Sequence, residues 1–254
     1  MTHPADVFHV VFVCTGNRFR SVLAEHRFRR ATVGLPVHVA SLGTLDEAGA
    51  PALPEAVELA AEAGFDLSEH RSRRLRGENL SEADLVVGFE RNHVAAAVVD
   101  ARAARERTFG AHELAELLAR IELRGDLPPV ERARDAVARA DAARTGAPRP
   151  FRELPDPVGR GRTVAEEIAR QVGDQVARIA FGLFAAGPAG ESAGPEGHLL
   201  FVWTPRGWRL EQHEGAPPVV GETLEADGSD LIVTVVGPSP LPGDPRRCAY
   251  TQPR

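Results

Sequence analysis

The stretch VFHVVFV (7–13) is apolar at every position but His9 and rich in β-branched residues, so it predicts a strand buried on both faces, as in a parallel sheet. SVLAEHRFRRA (21–31) follows with helical spacing that splits Val22, Leu23, His26, Phe28 and Arg30 between two faces. VHVASLG (37–43) alternates as a second strand, and PEAVELAAEAG (54–64) predicts a helix closed by Gly64 as C-cap. ADLVVGF (83–89) predicts a third strand and RNHVAAAVVDAR (91–102) a third helix. RTFGA (107–111) is a short fourth strand ahead of a helix over 112–122. This alternation predicts a doubly wound α/β domain.

Residues 124–153 break the rhythm. They are polar, Ala/Arg-rich and end in prolines, and predict an exposed helix and a loop. A last helix over 163–184 returns Val164, Ile168, Val172, Val176, Ile179 and Leu183 every three or four residues, a face to pack on the sheet. The expected domain therefore spans 1–185. AAGPAGESAGPEG is a linker, placed at 186–197, and 198–254 reads as a small all-β unit with strands in HLLFVWT, GWRLEQH and LIVTVVG. Trp203 and Trp208, bracketing a turn at 205–207, read as filler for its small core, as does Cys248.

Composition narrows the chemistry. The net charge of −6 lacks the basic footprint of a nucleic-acid carrier. No apolar run approaches the roughly 20 residues of a membrane span, and the first residues lack the order of a signal peptide. Two distant cysteines in 254 residues point to a reducing, cytoplasmic setting rather than a disulfide framework. All 30 basic residues are arginine, which excludes lysine Schiff bases and the Walker-type phosphate loop. The Ala/Arg/Gly/Pro bias points to GC-rich coding, as in some bacteria.

Against that background VCTGNRFRS (13–21) stands out. A strand ending in Cys14 and a helix beginning near Arg20 leave Thr15–Phe19 as a tight loop at a helix N-terminus. Successive backbone N–H groups in such a loop form an anion nest, and the helix end adds partial positive charge. A thiol there is held toward its thiolate. Arg20 offers a planar fork for two oxygens of an oxyanion. Gly16 permits positive φ, and Asn17 tolerates left-handed geometry and can brace the loop with its side chain. The bare Cys-x5-Arg spacing is weak: Cys248 and Arg254 repeat it with no glycine, no following helix and no buried strand before it. The alternative for Cys14 is a small hydrophobe at a strand end.

Together VFVCTGNRFRS, SLGT (41–44), GFDLSEHRSRRL (64–75), ADLVVGFERNH (83–93) and LPDPVGRG (154–161) resemble, in order, the low-molecular-weight protein tyrosine phosphatase family over roughly 7–185. The resemblance implies a four-stranded parallel sheet flanked by helices, with no cofactor and no metal ligands. It implies Cys14 as nucleophile, Arg20 as phosphoryl grip and Asp156, before Pro157, as general acid. Thr15, Gly16, Asn17, Arg18, Phe19 and Ser21 would surround the phosphate, with Asn17, Ser21, Ser41 and His70 bracing the loop. The substrate would be a phosphorylated protein or a small phosphomonoester. Read without the resemblance, Asp156 is a turn residue, His70 is structural, Ser41 ends a strand, and His93 and His112 are surface helix residues. Arg71, Arg73, Arg74 and Arg76 form either a solvated face or a docking site for an anionic partner.

The chain also departs from the family. Phe19 stands where many members carry a second cysteine, so a disulfide neighbouring Cys14 is unavailable. Arg18, at the mouth, disfavours a guanidinium leaving group and favours a substrate with a second anionic group. Val158 and Gly159 replace the aromatic residues that often follow the Asp-Pro, leaving Phe19 or Phe89 to contact a ring. Two other functions stay open: arsenate reduction with an external thiol, and a catalytically weak anion-binding regulator.

Overall fold

The computed structural model describes residues 7–144, 151–184, 197–204, 207–226, 229–239 and 246–253. The chain divides into two compact units, Met1–Pro188 and Ala189–Arg254. In the first, β1 (Phe8–Cys14) runs into α1 (Arg20–Ala31), followed by β2 (Val37–Gly43), α2 (Pro54–Glu62), β3 (Leu85–Gly88), α3 (Arg91–Asp100), β4 (Thr108–Gly110), α4 (Ala111–Leu118), α5 (Pro129–Ala142) and α6 (Arg162–Phe184). The four strands form one sheet in the order β2-β1-β3-β4, all parallel.

Alternation along β1 feeds both faces. Phe8, Val10 and Phe12 join the larger core with α1, α4, α5 and α6, while Val11 and Val13 join a smaller one with Ala97 and Ala101. Burial on both sides explains the near-continuous apolar run. The predicted face of α6 is the buried one, except that Val164 is only partly covered. Gly64 ends α2 with φ +81°; its N–H bonds Ala61 O and that of Phe65 bonds Ala60 O, a Schellman closure.

One expectation is corrected here. The helix in 124–153 is not an exposed one: α5 buries Val130, Ala133, Ala136, Val137 and Ala140 in the main core. Its apolar stripe is mostly alanine, too weak to stand out among charged neighbours. Arg134 on α5 ties it to the sheet through Asp84, Nε to Oδ1 at 2.8 Å.

The second unit is a five-stranded sheet ordered β6-β5-β9-β8-β7, from β5 (His198–Thr204), β6 (Gly207–His213), β7 (Thr223–Ala226), β8 (Ser229–Pro238) and β9 (Arg247–Pro253). Only β5 and β9 pair in parallel. Its core gathers Leu200, Val202, Leu231, Val233 and Ala249. Cys248 is buried in β9, and burial pushes its thiol up. Residues 186–196 of the expected linker, the turn at 205–206, Arg254 and the side chains of Trp203 and Trp208 lie outside the described residues. Among the described residues no helix is long and apolar enough to cross a membrane.

Candidate active site

The strand order reverses direction between β1 and β3, and in open parallel sheets the crevice at the carboxyl ends of such strands receives ligands. Cys14 ends β1 there, and Phe89 and Glu90 follow β3 beside it. The loop 15–19 turns from strand to helix over this point.

Its carbonyls are fastened outward one after another. Cys14 O accepts from Thr44 N at 2.9 Å, Thr15 O from Leu45 N at 3.0 Å, Arg18 O from Leu53 N at 2.9 Å and Phe19 O from Leu23 N at 3.0 Å. Asn17 O is 2.7 Å from His70 Nε2, and since a carbonyl only accepts, that nitrogen carries the proton. The opposite edge of each peptide plane is thereby left over: the N–H groups of Gly16, Asn17, Arg18 and Phe19 meet no protein acceptor among the described residues. Unpaired consecutive amides at a helix N-terminus make an anion cradle.

Asn17 holds the loop from inside. It is fully buried, with φ +51°, and its Nδ2 donates to Ser21 Oγ at 2.9 Å and Ser41 Oγ at 2.8 Å, while Oδ1 accepts from Arg73 N at 2.8 Å. With Asn17 donating to it, the Ser21 hydroxyl is free to direct its own proton at Cys14 Sγ, 3.0 Å away. Asn17 takes the left-handed conformation that its residue type tolerates; Gly16 has φ below zero and room for a Cβ. The glycine the loop needs is Gly43, at the end of β2. A Cβ there would sit 2.9 Å from Asn17 N and Gly16 C and 3.0 Å from Thr15 O, all backbone.

Arg20 is 1 % exposed and crowded with acceptors. Nη1 donates to Glu90 and, at 2.6 Å, to Leu154 O; Nη2 donates to Thr15 Oγ1 at 3.0 Å and to Asp156 Oδ2 at 2.7 Å. Asp156 also accepts from Val158 N at 3.1 Å, so it is a turn residue as well as a cleft residue.

Two residues here escaped the sequence reading. Glu90 anchors the guanidinium of Arg20. His93 is fully buried, not on the helix surface: Nδ1 accepts from Glu90 N at 3.0 Å, which puts the proton on Nε2, 3.0 Å from Thr15 Oγ1. Burial, then the charge of Arg20, pushes His93 down to about 3, so the ring is neutral. The acid and histidine three apart at a helix start in FERNH were the available signal. His112 is half-buried on α4.

Cys14, Thr15, Gly16, Arg18, Arg20 and Asp156 line one cleft of about 260 Å³ whose apolar walls are Phe19, Leu45, Leu53 and Val158. Val158 is 62 % exposed; Phe89 is no part of the wall, being buried in the core against Phe12. His70 and Ser41 meet the loop from outside the cleft. 

Fold and site together define a class: a doubly wound α/β domain with a cysteine inside an amide-lined anion loop and an arginine closing it. The family model of the low molecular weight phosphotyrosine protein phosphatases matches residues 9–119 of this unit. It is 42% identical over 78 residues to the probable low molecular weight protein-tyrosine-phosphatase EpsP of Ralstonia solanacearum, 31% of this chain and 52% of that protein. It is 38% identical over 86 residues to the protein-arginine-phosphatase of Bacillus subtilis, 33% of this chain and 57% of the relative. The chain thus spans about half the length of these curated relatives. The solution structure of a low molecular weight protein tyrosine phosphatase from Bacillus subtilis shares the fold, with a TM-score of 0.51 and 24% identity over 69% of this chain and 97% of that one.

Proposed function

We infer that the chain is a cysteine-dependent phosphatase acting on aryl phosphomonoesters of the phosphotyrosine kind. The carrying observation is that sulfur, unpaired loop amides, Arg20 and Asp156 share one cleft. The phosphoryl group seats on the loop amides and competes with Asp156 for Arg20 Nη2. The Cys14 thiolate attacks phosphorus, and the bond to the leaving oxygen breaks as Asp156 gives it a proton. The cysteinyl phosphate is then hydrolysed: water attacks phosphorus, its proton passes to Asp156, and inorganic phosphate leaves with the thiolate restored. Loop amides and Arg20 stabilise charge on the equatorial oxygens. Asn17, Ser21, Ser41 and His70 keep the loop in shape. The apolar walls suit a phenyl ring, and Arg18 at the mouth disfavours a phosphoguanidinium. Two free, buried cysteines fit a reducing cytoplasm.

The test is hydrolysis of p-nitrophenyl phosphate by the full chain and by Cys14→Ser, with rapid-quench mass spectrometry for a phosphorylated cysteine. Turnover lost in Cys14→Ser and a phosphate adduct on Cys14 are expected. Arsenate reduction with an external thiol in place of phosphatase turnover would overturn the reading.

A further inference from the structure

A shallow groove of about 300 Å³ adjoins the cleft, lined among others by Ser72, Arg73, Arg74, Arg76 and Glu78. Ser72 lines the cleft as well and so forms the wall between the two. The backbone of this segment is not a loose surface strip. Arg73 N donates to Asn17 Oδ1 at 2.8 Å, Gly43 N to Arg73 O at 2.8 Å, and Leu75 N to Gly43 O at 2.6 Å. Each tie ends on the anion loop or on the glycine beneath it, so the groove is fixed relative to Cys14.

Its side chains, by contrast, face solvent. Arg73 meets Glu78 at 3.2 Å and Arg76 meets Asp46 at 3.4 Å, both exposed pairs of the weak kind that a better anion displaces. Arg74 has neither a carboxylate nor a hydrogen-bond acceptor for its guanidinium among the described residues. On the cleft side of the wall Arg18 engages, among the described residues, only Pro51 O, through Nε at 2.7 Å. Of the two acids lining the cleft, Asp156 pairs with Arg20, and Glu47 pairs with neither Arg18 nor Arg74 among the described residues. Two unmatched guanidinium groups therefore flank Ser72, one at the mouth and one in the groove. Gly77 and Ala48 also line the groove, and nothing lies within 4 Å of where a Cβ on Gly77 would sit.

We propose that this groove is a docking track for an acidic peptide segment, whose phosphorylated residue enters the cleft while a neighbouring Asp, Glu or second phosphorylated side chain lies on Arg74 and Arg76. The track rests on the phosphatase reading above and names its substrate class: phosphoproteins with acidic residues beside the phosphosite. Arg18 receives the carboxylate nearest the mouth, and its planar fork suits a carboxylate or phosphate.

The full chain is titrated by fluorescence anisotropy with three peptides of equal length. Each carries a non-hydrolysable difluoromethylphosphonate analogue of phosphotyrosine, flanked by Glu, Ser or Arg. The Glu peptide is expected to bind about tenfold tighter than the Ser peptide, as two or three exposed ion pairs allow. That advantage should shrink with salt and vanish in the Arg74→Glu/Arg76→Glu double variant. Equal binding of the three peptides, or an advantage untouched by the two charge reversals, overturns the proposal. So does displacement of the Glu peptide by a short alkane bisphosphate at lower concentration than by the unlabelled Glu peptide, which would assign the track to a small diphosphorylated metabolite. Turnover of p-nitrophenyl phosphate is read separately. A chain that hydrolyses it but ignores peptide charge keeps the phosphatase reading and loses the track; a chain that hydrolyses nothing but holds the Glu peptide through Arg74 and Arg76 does the reverse.

Discussion

Asp156 divides its carboxylate between Arg20 and the amide of Val158. An acid for the leaving oxygen matters in proportion to how poor that leaving group is. Asp156→Asn should therefore cost about a hundredfold in kcat on an alkyl phosphate and under about tenfold on p-nitrophenyl phosphate. Equal losses would remove Asp156 from the acid role. His93 yields a pH prediction. Its folded value, about 3, lies below the unfolded one near 6.5. The unfolded chain then binds the proton first, so stability is intact above pH 6.5 and falls as pH drops toward 3. Between pH 7 and pH 5 His93 should withdraw about 2 kcal/mol, and His93→Gln should flatten that slope. Urea denaturation of both proteins at the two pH values checks this; parallel slopes would show another group responsible. The loop from Cys14 to Ser21 was legible in the sequence because its residues are contiguous. Glu90 and His93 were not, because they act from the end of another strand through buried contacts that only the strand order brings about.

At the scale of elements, β2 acts on the chemistry without touching it. Gly43 lets the strand end lie directly under the loop backbone, and no side-chain rearrangement can make space for a methyl group there. Gly43→Ala should shift the loop by some tenths of an ångström and lower kcat/KM by about a hundredfold. The helix and sheet content in far-UV circular dichroism should stay unchanged. Wild-type turnover in this variant would mean the loop is not set by its seat. The strands β1 and β3 were readable because both-face burial leaves an apolar run, and β2 because its positions alternate. The burial of α5 was hidden by alanine, which belongs to either environment. In the second unit β7 and β9 went unseen. β7 is a polar edge strand of four residues, and β9 buries Cys248 and Ala249 in succession without a two-residue period.

On the scale of the whole molecule, each unit builds its core from its own residues: Phe8 to Leu183 in the first, Leu200 to Ala249 in the second. Every residue lining the cleft falls between Cys14 and Val158. The second unit, Ala189–Arg254, is short, and a single small core in a unit of that size supplies only about 3–5 kcal/mol. Calorimetry of the full chain should therefore show two transitions, the earlier with an enthalpy of about 45 kcal/mol, as expected for a sheet of that length. A fragment ending at Pro188 should lose the earlier transition, keep the later one and hydrolyse p-nitrophenyl phosphate at the full-length rate. If the fragment instead unfolds at a lower temperature or loses turnover, the C-terminal sheet is part of what holds the loop over Cys14, and the catalytic reading must be extended to the whole chain.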